Sequence, residues 1–213
     1  GGRAHTETES LGMPFDRGCF LLHSASENPL AGIARRLGFH CVPRHRPRLI
    51  RLDGRWASTA EFRAWERYRE RSEGRIEALG GAGVDEPIAG HLSDDSRWRP
   101  LLDAWIAAYT GADTEAASTR DFFAYRDTRE NWAVREGLGA LAEAYGSGLP
   151  IELSTPATSI RWGGSRLEIE TPKGAISAAA VVITVSTGVL AAETIRFVPA
   201  LPDWKREAIA GLP

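Results

Sequence analysis

Two short stretches near the start of the chain carry residues that could do chemistry. Gly1-Gly2-Arg3 places two glycines, which let a backbone approach a bulky anion closely, before an arginine whose guanidinium can donate several hydrogen bonds to phosphate oxygens. His23 follows an apolar run and precedes a polar loop, and an imidazole there could bind or deprotonate a ligand near neutral pH. A surface turn and a hydrogen-bonded loop histidine explain the same residues, so neither stretch decides the function alone.

The length and composition of the chain are those of an ordinary globular protein. With 213 residues, the chain is long enough for one large domain or two interleaved small ones. Its 43% hydrophobic and 25% charged residues are ordinary for a globular protein, and a net charge of -2 gives no electrostatic reason to expect nucleic acid or an anionic membrane as a partner. The longest apolar stretch, around residues 178–185, is far too short to span a bilayer.

The cysteine content indicates the compartment and bears on metal binding. Only Cys19 and Cys41 are present, and they lack the spacing partners of a zinc site. Two cysteines in a chain of this size do not make a disulfide framework. We therefore expect two reduced thiols, no metal and a cytoplasmic protein.

The first two thirds of the chain predict helices. Asn28-Pro29 is a helix start and Gly38 its end, while Ser58 with Glu61 matches the capping box of a second helix. Apolar residues at helical spacing predict two more helices, over residues 99–109 and 136–145.

The pattern changes at Pro150. Short β-type runs are predicted as strands over residues 151–154, 157–162, 166–171 and 175–177. Glycine-containing turns separate the last three, which predicts a β-meander. The β-branched run from Ala180 to Val185 is typical of a strand buried on both faces. The chain is therefore predicted to be mixed α/β with an inserted helical region.

Taken together and in order, the opening stretches resemble the flavin-containing amine oxidase family. Among its subgroups, the polyamine oxidases have the most similar residue pattern. The resemblance rests on Gly-Gly-Arg-x-x-Thr at Gly1 to Thr6, on Gly18 before an apolar run, and on Asn28-Pro29-Leu30 opening a helix that ends in Leu37-Gly38. Later stretches match independently: Glu136-Gly137-Leu138, Thr155 to Ile160, Ala179 to Leu190 and Ile195 to Pro202.

The resemblance implies a fold and a division of the chain. The fold is α/β: a partial FAD/NAD(P)-binding, glutathione-reductase-like domain with a β-meander, plus an inserted, mainly helical substrate-domain segment. Residues 1–18 would belong to the FAD-binding domain and residues 19–130 to the helical substrate-domain segment. Residues 131–187 would return to the FAD-binding domain as a helix, a meander and a buried strand, and residues 188–213 would begin a second substrate-domain segment.

The resemblance also implies a cofactor site. The cofactor is FAD, and the cofactor-binding set is Gly2, Arg3, Gly18, Leu22, His23 and Ala157. Arg3 would contact the phosphates, with Gly2 permitting the close approach. Leu22 and His23 would lie beside the isoalloxazine ring, with His23 as the catalytic residue that faces the substrate amine. Ala157 would contact the adenine through its backbone.

The implied reaction takes hydride from a C–H next to an amine, passes it to the flavin and lets dioxygen reoxidise the flavin. The substrate would be a small amine, and the oligomeric state cannot be inferred. Three departures from the family's usual residues, Leu21 for Trp, Cys19 for Ala and Ser186 for Pro, leave the identity of the amine open. Because the family's Gly-x-Gly-x-x-Gly loop and last FAD-binding segment fall outside these residues, we expect the chain by itself to bind FAD weakly and to be inactive.

Two alternatives remain open. A flavin-dependent desaturase or a protoporphyrinogen-oxidase-like enzyme would share the Gly-Gly-Arg and strand patterns. A non-catalytic interaction module could instead use the basic stretch from Arg44 to Arg55 to bind an anionic partner; its arginines are Arg44, Arg46, Arg48, Arg51 and Arg55.

Overall fold

The computed structural model describes residues 2–44, 49–93 and 97–212. The chain forms two compact units, Gly1–Leu149 and Pro150–Pro213. This boundary falls inside the segment 131–187 that was predicted to belong to one FAD-binding domain. The four-part division of the chain stays a prediction, because compact units and family domains need not coincide.

The first two helices begin and end as predicted. Helix α1 spans Pro29–Arg36; the Asn28 side chain accepts a hydrogen bond from the Leu30 N–H at 3.0 Å, and Gly38 follows its end with a positive φ of 80°. Helix α2 spans Thr59–Gly81 and carries the predicted capping box between Ser58 and Glu61.

Three further helices complete the first unit. Helix α3 (Arg99–Thr110) ends at Gly111 in the left-handed conformation, with φ 80°. Helix α4 (Thr119–Ala124) was not predicted, because six residues are too few for a periodic pattern. Helix α5 (Leu138–Gly146) starts two residues later than predicted, since Gly137 has a φ of 101° and cannot continue a helix backwards.

Short antiparallel strand pairs hold the first unit together at three places. Strand β1 (Thr6–Glu7) pairs with β2 (Phe15–Asp16), and β4 (Arg51–Leu52) pairs with β5 (Arg55–Trp56). Strand β3 (Cys41–Pro43) pairs with the distant β6 (Trp132–Val134). Strands of two or three residues have too little alternation to be seen in a sequence.

Two apolar clusters form the core of the first unit. One is built from α2, α3 and a 3₁₀ turn (Ile88–His91), and its most buried members are Trp65, Ile76, Ile88, Leu102 and Ile106. The other lies among α1, β6 and α5 and includes Leu22, Ala34, Val134 and Leu141. Burial of each large apolar side chain stabilises the fold by about 1.5–3 kcal/mol, so the second cluster fixes the loop that contains Leu22.

The second unit confirms the predicted meander. Strands β7 (Ser159–Arg161), β8 (Leu167–Thr171) and β9 (Gly174–Ala178) pair antiparallel in that order. A fourth strand, β10 (Arg196–Val198), lies parallel to β7 at the other edge. Helices α6 (Thr187–Ala191) and α7 (Asp203–Ala210) complete this unit.

Two strand predictions in the second unit are wrong. Residues 180–185, predicted as a buried strand, run without strand pairing, and Val182 is 87% exposed. A buried strand needs neighbours on both edges to satisfy its backbone groups, and the described residues offer none to this run. Residues 151–154 likewise form a turn and no strand.

Candidate functional site

A hairpin brings three of the predicted cofactor residues together. The Arg3 carbonyl accepts a hydrogen bond from the Cys19 N–H at 2.9 Å, and the His5 carbonyl accepts one from the Arg17 N–H at 2.9 Å. These bonds extend the β1–β2 pairing towards Gly2 and place Gly18 against Arg3. A Cβ added to Gly18 would lie 2.1 Å from the Arg3 carbonyl oxygen. The close approach of the two strands therefore requires a glycine at position 18.

The exposed end of this hairpin is suited to bind an anion. Gly2 has a φ of 62°, and no atom lies within 4 Å of the position its Cβ would take. The Arg3 side chain is exposed, and its guanidinium makes no ion pair with any residue that the structure describes. A free guanidinium beside an open backbone can donate several hydrogen bonds to one group of anionic oxygens.

The loop that follows the hairpin holds Leu22 and His23 in fixed positions. Leu22 is buried, and its backbone exchanges two hydrogen bonds with Trp132, at 2.8 and 3.1 Å. The His23 carbonyl accepts a bond from the Asn28 side-chain amide at 3.0 Å, and the next residue, Ser24, has a φ of 47°. The His23 side chain is exposed, and within the described residues its imidazole has no hydrogen-bond partner. The backbone is therefore held while the imidazole stays available.

The hairpin also caps the start of α5, which sequence reasoning missed. The Asp16 carboxylate accepts bonds from the N–H groups of Leu138 at 2.9 Å and Gly139 at 3.2 Å. The Thr6 hydroxyl accepts a bond from the Ala140 N–H at 2.9 Å and donates one to Asp16 at 2.5 Å. Two residues more than 120 positions away thus satisfy the free amides of this helix.

This capping decides what the glycines at the start of α5 do. Gly137-x-Gly139-x-x-Ala142 follows a strand and opens a helix, which is the spacing of a dinucleotide-binding turn. A Cβ on Gly137 would lie 2.3 Å from the Thr6 side chain, and one on Gly139 would lie 2.4 Å from the Thr6 backbone nitrogen. The glycines therefore make room for the hairpin, and Asp16 takes the amides that a phosphate would need. The glycine pair itself was the signal in the sequence that could have located this junction.

An acid–histidine pair fixes the next junction. Glu136 accepts hydrogen bonds from the His40 backbone N–H at 3.0 Å, and its other carboxylate oxygen lies 2.6 Å from His40 Nδ1. Burial raises the pKa of Glu136, but the hydrogen bonds from His40 outweigh burial, so the net pKa is lowered. The pair ties His40, directly before β3, to Glu136, two residues before α5.

Ala157 is the one predicted cofactor residue in the second unit. It lies two residues before β7 and is half-buried. Its backbone N–H and C=O make no hydrogen bond within the described part of the chain. A free donor and a free acceptor on one residue could pair with the edge of a planar heterocycle.

The basic stretch gives little support to an anionic partner surface. Arg51 donates to the Gly54 carbonyl at 2.9 and 3.1 Å, and Arg55 forms an ion pair with Glu61 at 2.8 Å. Arg46 and Arg48 lie outside the described residues. The arginines that can be assessed beyond Arg44 are thus engaged inside the chain.

Across the described ranges, no three acidic, histidine or cysteine side chains are grouped as metal ligands, and no helix is long and apolar enough to cross a membrane.

Comparison with known proteins decides the family. A family model described as flavin containing amine oxidoreductase matches residues 1–213. The chain belongs to this family. Its members are flavin-dependent oxidoreductases, so the resemblance drawn from the sequence is confirmed.

Curated relatives and solved structures agree with this assignment. Polyamine oxidase 4 from Oryza sativa subsp. japonica is 28% identical over 242 residues, which cover 100% of this chain and 49% of the relative. Polyamine oxidase 2 from Arabidopsis thaliana is 28% identical over 245 residues, with 100% and 49% covered. The chain thus spans about half the length of the curated relatives it matches.

The fold is that of solved amine oxidases. A putrescine oxidase bound to putrescine superposes with a TM-score of 0.75 at 16% identity, over 99% of this chain and 55% of that one. A cyclohexylamine oxidase from Brevibacterium oxydans gives a TM-score of 0.71 at 19% identity, over 99% and 55%. At this identity the likeness shows the fold alone. It supports an α/β fold shared with these oxidases, while the partial glutathione-reductase-like description stays a prediction.

Proposed function

We propose that this chain forms part of an FAD-dependent amine oxidase that oxidises a C–H next to an amine nitrogen. The observation that carries the proposal is the continuous path from Gly2 and Arg3 along the hairpin to Leu22 and His23. This segment presents a guanidinium and an imidazole that have no partner among the described residues, in a chain that belongs to the flavin amine oxidase family. When bound, FAD would supply the hydride acceptor, which dioxygen would reoxidise.

The residues present fit the cofactor. Arg3 would bind the phosphates with its free guanidinium, and the open backbone at Gly2 leaves room for them. Gly18 supports this arrangement by letting Cys19 bond to the Arg3 carbonyl. Ala157 would pair with the adenine through its free N–H and C=O.

The catalytic role falls to His23. An imidazole can accept a hydrogen bond from a neutral amine or take a proton from an ammonium group, and only the neutral amine readily gives up hydride. The buried Leu22 on one side and the Asn28 amide on the other fix the backbone of His23. His23 would therefore hold and deprotonate the amine without a large rearrangement.

This chain by itself is proposed to bind FAD weakly and to be inactive. It contains no Gly-x-Gly-x-x-Gly segment, and the related Gly137-x-Gly139-x-x-Ala142 turn is filled by Asp16 and Thr6. Flavin absorbance of the purified 213-residue chain measures this directly. Stoichiometric bound FAD after gel filtration would overturn it.

The phosphate-binding role of Arg3 has its own test. In the complete natural polypeptide that carries these residues, Arg3→Gln should weaken FAD binding by about tenfold to a hundredfold, because charge-assisted bonds contribute roughly 1.5–3 kcal/mol. Arg17→Gln is the matched control, since Arg17 lies on the same hairpin and pairs with Glu7 at 3.5 Å. Quenching of flavin fluorescence gives both affinities, and equal losses in the two variants would contradict the assignment.

The substrate and the location also belong to the proposal. A small amine is favoured because curated relatives carry the name polyamine oxidase, and peroxide release from a panel of amines separates this activity from that of a desaturase or a protoporphyrinogen-oxidase-like enzyme. The cytoplasm is proposed on the two free cysteines, Cys19 and Cys41.

A further inference from the structure

Four arginines form a row along α2. Arg63, Arg67, Arg71 and Arg75 recur at every fourth residue, and all four are exposed. Four residues advance about 6 Å along a helix axis and about 40° around it, so the row is about 18 Å long and winds slowly over one face. These four residues are called the arginine row below.

The chain does not neutralise the arginine row. Across the described ranges, none of its four guanidiniums forms an ion pair. Arg71 Nε donates to the Arg67 carbonyl at 3.2 Å, a bond that leaves the positive charge uncompensated. Three glutamates of α2 instead surround Arg69: Glu66 at 3.1 Å, Glu70 at 3.7 Å and Glu73 at 2.5 Å.

The exposed face of α2 carries two features that lower its own stability. Like charges four positions apart on a helix repel each other, and the arginine row consists of such pairs. Gly74 lies three residues after Arg71, although glycine inside a helix is less favourable than alanine. No described atom lies within 4 Å of the position that its Cβ would take. A second molecule on this face would explain both features, because it would supply anions and use the space at Gly74.

A surface cleft borders the middle of the arginine row. It has a volume of about 400 Å³, and its lining includes Arg67, Glu70 and Arg71. All three side chains are exposed, so a group on another molecule can reach the two guanidiniums from solvent.

The charges beside the row select the kind of anion. Glu70 and Glu77 are also exposed on α2, and the chain has a net charge of -2. A nucleic acid or an anionic membrane presents its charges over a broad surface, so it would meet these glutamates as well. An acidic helix presents a single line of carboxylates, and glutamates at every fourth residue repeat the spacing of about 6 Å. Carboxylates also match the planar guanidinium with two parallel hydrogen bonds.

We propose that the arginine row is a docking surface for an acidic helix of a partner protein, with carboxylates at every fourth residue. The guanidiniums pair with these carboxylates, the cleft receives one of the partner's side chains, and Gly74 lets the partner helix approach closely. The surface shares no residue with the segment from Gly2 to His23. The inference therefore goes beyond the proposed oxidation and does not depend on it.

Matched peptides test the proposal. The probe is a fluorescent peptide of about 20 residues, long enough to form a helix in water, with glutamate at every fourth position; its control carries glutamine there. Fluorescence anisotropy with the complete polypeptide measures both affinities. The glutamate peptide should bind about tenfold more tightly than the glutamine peptide at low salt, and its affinity should fall as the salt concentration rises.

Substitutions on α2 locate the binding surface. Arg67→Gln combined with Arg71→Gln should weaken binding of the glutamate peptide by about threefold to tenfold, because exposed ion pairs are individually weak. Arg35→Gln combined with Arg36→Gln makes the same change of charge on α1 and should leave the affinity within about twofold. Gly74→Leu should weaken binding by filling the open space, yet it should raise stability to urea, since leucine favours a helix more than glycine does.

Several results would overturn the docking surface. These are no binding of the glutamate peptide, equal affinity for the glutamine peptide, and equal losses in the two double variants. Tighter binding of oligothymidylate or of phosphatidylserine vesicles than of the glutamate peptide would also overturn it, because the row would then serve a different polyanion. An unchanged affinity in Gly74→Leu would contradict the close approach of the partner helix, and a loss of binding in that more stable variant cannot come from unfolding.

Discussion

At the scale of single residues, glycine and carboxylate positions decide how the candidate site is built. Gly18 permits one strand of the hairpin to lie against the other, and Asp16 fastens that hairpin to α5. Neither residue has a side chain that would react with an amine, yet both fix where Arg3 and His23 lie. Sequence analysis could propose Arg3 and His23 because their residue types are chemically distinctive, and their roles at the site stay predictions. It could not place Asp16, because its partners lie more than 120 positions away.

The steric role of Gly18 predicts the effect of a single methyl group. Gly18→Ala would place a Cβ within 2.1 Å of the Arg3 carbonyl oxygen, so the strands must separate, at a cost of about 1–3 kcal/mol. Gly74→Ala is the matched control, because Gly74 lies within α2 and no atom stands within 4 Å of its would-be Cβ. That control should stabilise the chain by about 0.5–1 kcal/mol. Urea denaturation measures both changes, and equal stabilities of the two variants would contradict the packing described.

At the scale of elements, junctions between short strands and helix ends carry the architecture. The sequence predicted α1 and α2 with their caps, because Asn28 and the Ser58–Glu61 box act locally. It predicted the meander because its turns contain glycine. It missed the pairing of β3 with β6, since that pairing depends on tertiary contacts between short segments. It also took the apolar run 180–185 for a buried strand, although composition alone cannot supply the neighbouring strands that such a run needs.

The junction between His40 and Glu136 predicts a dependence of stability on pH. Because the pKa of Glu136 is lowered in the folded chain from its ordinary value of 4.5, its pair with His40 stabilises the fold above that pH. The contribution is lost as the pH falls below 4.5 and through the lowered pKa. Glu136→Gln should therefore unfold at lower urea concentration than the wild type at pH 6, with the difference shrinking towards pH 3.

A neighbouring acid provides the control for this measurement. Glu143 is exposed on α5 and forms no ion pair within the described residues. Glu143→Gln should follow the wild type at every pH. A difference between Glu136→Gln and the wild type that stays constant from pH 6 to pH 3 would show that the carboxylate charge plays no part.

At the scale of the whole molecule, family membership came from motifs scattered along the chain. The opening Gly-Gly-Arg stretch is weak evidence alone, but the meander and the Ile195 to Pro202 stretch point to the same family, which the match over residues 1–213 confirms. The identity of the substrate could not be predicted from sequence motifs.

The central claim is that this chain provides the amine-facing residue of a flavin amine oxidase. Anaerobic stopped-flow mixing of the FAD-loaded complete polypeptide with a panel of amines tests it most directly, because loss of flavin absorbance reports hydride transfer itself. The wild type should lose its flavin absorbance with at least one amine, and His23→Leu should slow that loss by about a hundredfold. His91→Gln, which alters a histidine paired with Glu86 at 2.9 Å, should react like the wild type. No reduction by any amine, or an unchanged rate in His23→Leu, would contradict the account.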